Sequence, residues 1–325
     1  MNDTHEPVLV LLDRDPDGAL ASSSAGLLAA AAGIGVPVAL LVGDGAAEQA
    51  DRAAALGARR VLLAPTASDA LGVPHVDALA AAAEHVRPAA VLLPHSVDGR
   101  ETAARYAVRT RSALAVDAVG VARDAEGVVA HHAAYGGSYR VESAATFGAL
   151  VVTLRPGAVD TRADAVPDAR VEKIDVVASG LPAATVLAVE PVVEESSGPD
   201  LRSAATVVAG GRGLGSAEGF ALVGRLADAL EAAVGATRDA VDLGYVPASH
   251  QIGQTGAVVS PRLYVALGIS GAVQHLSGMQ TSSTIVAVNT DEDAKIFEIA
   301  DFGVVGDVFD VVPQLIEALA ERKDA

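Results

Sequence analysis

The sequence predicts an α/β protein of two domains, and three observations carry that expectation. Apolar strand-like runs alternate with Ala/Leu-rich stretches long enough to be helices through the first third of the chain. From about residue 115 the texture changes to short β-rich runs, and near residue 205 a second strand–turn–helix unit begins after a polar break. With 325 residues and 51 % hydrophobic content, the chain has ample material for two cores.

The strand-like runs fall at 8–12, 37–42, 60–64 and 88–94, with helical segments at 18–33, 45–57, 75–86 and 99–113. Strict alternation implies parallel strands joined by crossover helices. Runs at 115–122, 128–135, 138–143 and 148–155 are separated by turn residues such as Asp124-Ala125-Glu126-Gly127 and Gly136-Gly137. They read as antiparallel hairpins extending or flanking the sheet. Polar loops at 157–170 and strands near 171–177 and 184–192 complete a mixed-sheet domain over 1–192. The acidic stretch from Val193 to Asp200 carries Ser, Gly and Pro, cannot bury an apolar face, and reads as a linker over 193–204. The second domain, 205–325, opens with a strand at 205–209, a glycine-rich turn, and a helix bearing Phe220, Val223, Leu226, Leu230 and Val234 in one stripe. A strand at 284–288 follows. A last helix carries Val312, Leu315, Ile316 and Leu319, and ends in Arg322 and Lys323, the sign its dipole favours. A Rossmann-like parallel sheet is expected here.

Composition excludes several function classes. A net charge of −18 argues against nucleic acid and anionic membrane surfaces, which need a basic face. Without cysteine there are no disulfides, thiolate metal sites or cysteine-held iron–sulfur clusters. His131-His132 looks metal-like, but neighbours on a strand point to opposite faces and cannot chelate together, so no metal site is expected. The first residues lack the basic start of a signal peptide, and no apolar run approaches a membrane span. The expected location is cytoplasmic, without membrane insertion.

Two regions carry chemistry. The turn Gly210-Gly211-Arg212-Gly213-Leu214-Gly215 lies between a strand and an amphipathic helix, where backbone N–H groups can approach an anion. Ser216 stands where a G-x-G-x-x-G fingerprint needs its last glycine, so the turn alone is a weak signal; Arg212 within it strengthens an anion-binding reading. Further on come Gly253-Gln254-Thr255-Gly256, then Leu263–Met279 in the pattern L-Y-x-A-x-G-I-S-G-A-x-Q-H-x-x-G-M, then Thr284–Asn289 and Ala300–Gly303. In this order and spacing they resemble the signature of electron transfer flavoprotein alpha subunits. The first half is similar only in pattern, as in Tyr135-Gly136-Gly137 and Val152–Pro156.

The resemblance implies an FAD-carrying subunit of a heterodimer. It takes single electrons from acyl-CoA and related dehydrogenases and delivers them to a quinone oxidoreductase. The beta subunit is the partner and is expected to hold AMP, and this chain transforms no substrate of its own. Carried over to this sequence, Arg212 belongs on the FAD, and Arg238, preceded by Thr237 where the family usually has serine, lies against the isoalloxazine. Gly253, Gln254 and Thr255 line the flavin, with the Thr255 hydroxyl near N5. Ser270, Gly271, Ala272, Val273, Gln274 and His275 wrap the pyrophosphate, with His275 at the pyrimidine carbonyl. Asn289 and Asp307 hold the adenosine part.

Each assignment has a plainer competitor. His275 could be an ordinary core histidine, and Arg238 could pair with Asp239 or Asp242 on a surface helix. Ser270 near His275 is no nucleophile elbow, because Gly268-Ile269-Ser270-Gly271-Ala272 lacks the glycine spacing. The main functional rival is an NADP-dependent dehydrogenase using the Gly210–Gly215 turn with Arg238 as phosphate reader. A third is a scaffold subunit that has lost its cofactor. A visible spectrum separates the three.

Overall fold

A computed structural model of the chain describes residues 6–15, 17–66, 69–190 and 198–323. Two compact units divide the chain: Met1–His132 with Arg140–Val193, and Ala133–Tyr139 with Glu194–Ala325.

The first unit alternates as expected: β1 (Pro7–Leu11), α1 (Ser24–Ile34), β2 (Val36–Val42), α2 (Ala50–Ala55), β3 (Arg60–Ala64), α3 (Val73–Val86), β4 (Ala90–Pro94) and α4 (Val97–Thr110). Then come β5 (Leu114–Arg123), β6 (Val128–Ala134), β7 (Tyr139–Ala144), β8 (Leu150–Leu154) and β9 (Arg170–Lys173). The sheet order is β7-β6-β5-β8-β4-β1-β2-β3-β9. Its central strands are buried on both faces: Val8, Val10 and Leu12 enter one core while Leu9 and Leu11 enter the other. That two-sided burial explains why these strands read as unbroken apolar runs.

Three expectations need correction here. The run at 148–155 is not half of an antiparallel hairpin; β8 lies parallel to both β4 and β5, with all five residues buried. A strand buried on both faces belongs in the sheet centre, and the antiparallel pairing lies one strand further out, between β5 and β6. Of the strand expected at 184–192, residues 184–190 form none, one bridge from Thr185 to Ala70 being their only pairing in an exposed segment, and 191–192 lie outside the described residues. The helices expected at 18–33 and 45–57 are shorter, beginning at Ser24 and, after a single turn at Ala46–Gln49, at Ala50. Of the expected linker, 193–197 lies outside the described residues. His131 and His132 turn to different partners, Glu142 for the first and the Val116 carbonyl and Ser143 for the second. Arg155, in the Val152–Pro156 run, is buried and binds Asp117 through Nε at 3.0 Å and Nη2 at 2.6 Å.

The second unit is built from β10 (Thr206–Gly210), α5 (Ala217–Leu230), β11 (Ala233–Ala236), α6 (Arg238–Asp242), β12 (Leu263–Leu267), α7 (Val273–Leu276), β13 (Thr284–Asn289), β14 (Phe302–Val305) and α8 (Val308–Lys323). Its five strands are all parallel, in the order β11-β10-β12-β13-β14. The Phe220, Val223 and Leu226 stripe of α5 packs into one core as expected. Val234 does not continue that helix: α5 ends at Leu230, Glu231 turns left-handed at φ 53° to cap it, and Val234 sits on β11. No described helix is long and apolar enough to cross a membrane.

Candidate functional site

In the second sheet the chain leaves β10 on one side for β11, then returns past it to β12. The neighbours β10 and β12 therefore mark the point where the winding reverses. In open α/β sheets the loops beyond the strand carboxyl ends diverge at such a point and leave a crevice for a ligand. A cleft of about 680 Å³ lies there, within the roughly 300–1,000 Å³ usual for small-molecule sites. Its walls come from the loops after β10 (Gly211–Gly213), β11 (Thr237, Arg238), β12 (Gly268–Ser270) and β13 (Asn289, Asp291), joined by Gln251–Thr255, Ala272, Gln274 and His275.

Most of the residues singled out in the sequence line this cleft: Arg212, Thr237, Arg238, Gly253, Gln254, Thr255, Ser270, Ala272, Gln274, His275 and Asn289. Three do not. Gly271, left-handed at φ +85°, packs so closely that a Cβ would lie 2.3 Å from the Ile296 nitrogen. Val273 is exposed on α7, and Asp307 accepts the Phe309 N–H at 2.9 Å, capping the first turn of α8.

The glycine turn after β10 does something other than expected. The Gly211 N–H donates to the Leu267 carbonyl at 2.9 Å and the Gly213 N–H to the Gly268 carbonyl at 3.1 Å. The N–H groups of Leu214, Gly215 and Ser216 bond within the turn, and Ser216 caps α5 by accepting from Gly219. A Cβ on Gly211 would fall 2.3 Å from the Gly268 oxygen. These glycines let two loops touch; their N–H groups are spent on protein and do not form an anion cradle. That removes the main support for the NADP-dehydrogenase alternative.

Positive charge reaches the cleft through side chains instead. Arg238 is 68 % exposed and pairs with Asp242 at 3.3 Å, one turn along α6; Arg212 is 74 % exposed and 3.9 Å from Asp239. The surface pairing foreseen as the plain alternative for Arg238 is therefore present, and it lies on the cleft wall. Exposed pairs of this kind contribute about 0.3–0.5 kcal/mol, so an anionic ligand displaces the carboxylate at little cost. Thr237 caps α6, its hydroxyl accepting from the Ala240 N–H at 3.4 Å. The Thr255 hydroxyl accepts from Gln251 Nε2 at 2.8 Å and keeps its own proton to donate. Asn289 ties two walls together, donating to the Ile269 carbonyl at 2.9 Å and accepting from the Asp291 N–H at 3.0 Å.

His275 is 5 % exposed, and both ring nitrogens face protein partners: Nδ1 the Ile252 carbonyl at 3.1 Å, Nε2 the Tyr264 hydroxyl at 2.9 Å. Burial lowers its pKa to about 4, against a smaller upward pull from the Ile252 carbonyl, so the ring is neutral at physiological pH. Donation from this ring to a flavin carbonyl would first require releasing one of these partners. Tyr264 and Ile252 were not assigned a role from sequence. Tyr264 stands inside the quoted signature, and its pairing with a histidine eleven residues on had no local signal.

The donor set fits a flavin dinucleotide: two exposed guanidinium groups for phosphate charge, each beside an aspartate it can leave, hydroxyl and amide groups on the walls between them, and several backbone approaches a Cβ would block. The Val273 and Gln274 N–H groups, opening α7, have no partner among the described residues. Among those residues no group of three or more metal-ligating side chains occurs. Fold and cleft together define a two-unit α/β protein built to bind a nucleotide cofactor.

Comparison with known proteins makes that class specific. The electron transfer flavoprotein domain matches residues 8–179, and the electron transfer flavoprotein FAD-binding domain matches residues 200–280. The chain is similar to the electron transfer flavoprotein subunit alpha of Mycobacterium leprae, 49 % identical over 319 residues that span 97 % of this chain and 98 % of that one. It is 50 % identical to that of Mycobacterium tuberculosis (strain ATCC 25618 / H37Rv) over 320 residues, covering 97 % and 99 %. It is 37 % identical to that of Bacillus subtilis over 315 residues, covering 95 % and 96 %. The chain belongs to the electron transfer flavoprotein alpha-subunit family and carries its FAD-binding domain. The resemblance read from 253–303 is borne out, and the match extends through the first half, where the sequence showed only a pattern.

Proposed function

We propose that this chain holds FAD in the cleft beyond β10–β13 and carries electrons one at a time from flavin dehydrogenases, acyl-CoA dehydrogenases among them, to a quinone oxidoreductase. The observation that carries the reading is the convergence of four strand-end loops on one cleft, three of them inside the segment that matches the FAD-binding domain. Bound FAD supplies the redox chemistry; the chain supplies binding, orientation and electrostatics. Arg212 and Arg238 each bring a guanidinium to the cleft wall, where turning from Asp239 and Asp242 to the cofactor lets them favour the phosphates and any negative charge that reduction adds. Thr255 and Gln254 offer hydrogen bonds to the ring edge. Ser270 and the start of α7 serve the pyrophosphate, and Asn289, with Asp307 on the loop after the neighbouring strand β14, the adenosine end.

The chain works as one half of a heterodimer with a beta subunit, which holds AMP. In the first unit Val177, Leu187 and Val189 lie almost bare on an extended segment, and Phe147 is exposed on a turn. Burial of these side chains by a partner would remove their apolar area from water. The experiment is anaerobic mixing of the coexpressed complex with a substrate-reduced acyl-CoA dehydrogenase. Transfer bleaches the visible flavin bands of the complex. Failure of every flavin dehydrogenase to do so, with direct reduction by NADPH, would overturn the carrier reading.

A further inference from the structure

We propose that Tyr264 is a positioning residue for the cleft, acting through the His275 imidazole on the turn that carries Gly253, Gln254 and Thr255. The proposal rests on the reading of that cleft as the flavin site, although each link in it lies within the protein.

Tyr264 is the second residue of β12 and is fully buried in the core beneath the cleft. A hydroxyl taken out of water costs stability unless it is bonded, and this one has the His275 Nε2 at 2.9 Å. The Ile252 carbonyl, on the other side of the ring, can only accept a hydrogen bond. The imidazole therefore carries its proton on Nδ1 and donates it to Ile252, which leaves Nε2 bare to accept from Tyr264. Burial keeps the ring neutral, so this one tautomer satisfies both ends.

The consequence is geometric. The Ile252 carbonyl is held by His275, and two residues later the Gln254 N–H donates to the Gln274 carbonyl at 2.8 Å. Adjacent residues of α7 thus grip the turn at two points, on either side of Gly253. The fit is close, since a Cβ on Gly253 would lie 2.7 Å from the Gln274 oxygen. The length and tilt of the imidazole, fixed from behind by Tyr264, set where Gln254 and Thr255 stand in the cleft. A side chain that merely filled the core would be replaced by phenylalanine without effect.

The test uses the full-length chain in its purified complex, with ¹⁵N-labelled histidine. In the wild-type protein His275 shows the Nδ1–H tautomer between pH 6 and 8. In Tyr264→Phe the Nε2 resonance moves as its donor is lost. Amide exchange at Gly253 and Gln254 speeds by about five- to tenfold relative to β10, the scale of one hydrogen bond, and FAD dissociates faster by a similar factor. An Nε2–H tautomer in the wild type, or unchanged ring resonances and exchange in Tyr264→Phe, would overturn the proposal. Should Tyr264→Phe not fold, His275→Asn and His275→Leu decide. The asparagine amide nitrogen stands near the position of Nδ1 and preserves the protection at Gly253 and Gln254, whereas leucine abolishes it; equal protection in both would refute the relay. The ring and exchange readouts do not need flavin. A protein with the expected resonances but no flavin would defeat the flavin reading and leave the relay intact.

Discussion

Replacing Arg238 with alanine should separate cofactor affinity from fold stability. The guanidinium is 68 % exposed, and its only ion-pair partner among the described residues is Asp242, itself 62 % exposed. An exposed pair one helical turn apart contributes about 0.3–0.5 kcal/mol, so Arg238→Ala should change unfolding free energy by no more than about that. Against an anionic cofactor, the same group makes a charge-assisted contact of about 1.5–3 kcal/mol. At about 1.4 kcal/mol per factor of ten, FAD affinity should fall by roughly 10- to 150-fold. The lost charge should also lower the first reduction potential of the bound flavin. Arg238→Lys should recover part of the affinity, because an ammonium keeps the charge but not the fork. Rising salt should narrow the gap between wild type and variant. The assay is fluorescence titration of cofactor-stripped protein with FAD, beside a thermal melt of the same samples without cofactor. An affinity within twofold of wild type would show that Arg238 serves only Asp242. A melt lowered along with the affinity would show that the fold, and not the contact, was lost.

Other perturbations test other parts of the reasoning. Asp13, at the carboxyl end of β1, accepts from Ser96 Oγ at 2.5 Å, and burial raises its pKa from 3.8 to about 6. Its folded pKa is raised, so the buried carboxylate costs stability above about pH 6 and the cost vanishes towards pH 4. Asp13→Asn should stabilise the first unit by up to about 3 kcal/mol at pH 8 and by little at pH 4, measured by hydrogen exchange of β1 amides. Equal effects at both values would rule out the ionisation cost. Gly211→Ala places a Cβ 2.3 Å from the Gly268 oxygen and should destabilise the second unit by about 1–3 kcal/mol with loss of FAD, read by urea unfolding of purified protein. Unchanged stability would mean that the two loops do not need their close contact.

What the sequence made legible was local. Two-sided burial marks β1 to β4 as apolar runs, and the stripe of Phe220, Val223 and Leu226 marks α5. Strand direction is not local: β8 follows two hairpin-like runs, and only its place between β4 and β5 makes it parallel. Residues 184–190 have strand-like composition, yet a single bridge holds them because no sheet edge receives them. In the site, residue types converged where spacing was distinctive, as in Gly253–Thr255 and, Gly271 and Val273 apart, Ser270–His275. The direction of an N–H was invisible, so the glycine turn after β10 read as an anion cradle while Leu267 and Gly268 in fact occupy its donors. His275 illustrates the same limit: its partners stand 11 and 23 residues away, and only the folded chain shows that both nitrogens are taken.

The central claim is that this chain holds one FAD in the cleft beyond β10–β13. The direct measurement is the visible spectrum of the chain coexpressed with its beta subunit, followed by heat release and quantification of the cofactor. The account predicts flavin bands and one FAD per alpha chain, with occupancy reduced in Arg238→Ala and restored by excess FAD. A colourless complex that stays colourless after incubation with FAD, or one whose flavin content is untouched by substitutions in this cleft, would contradict it.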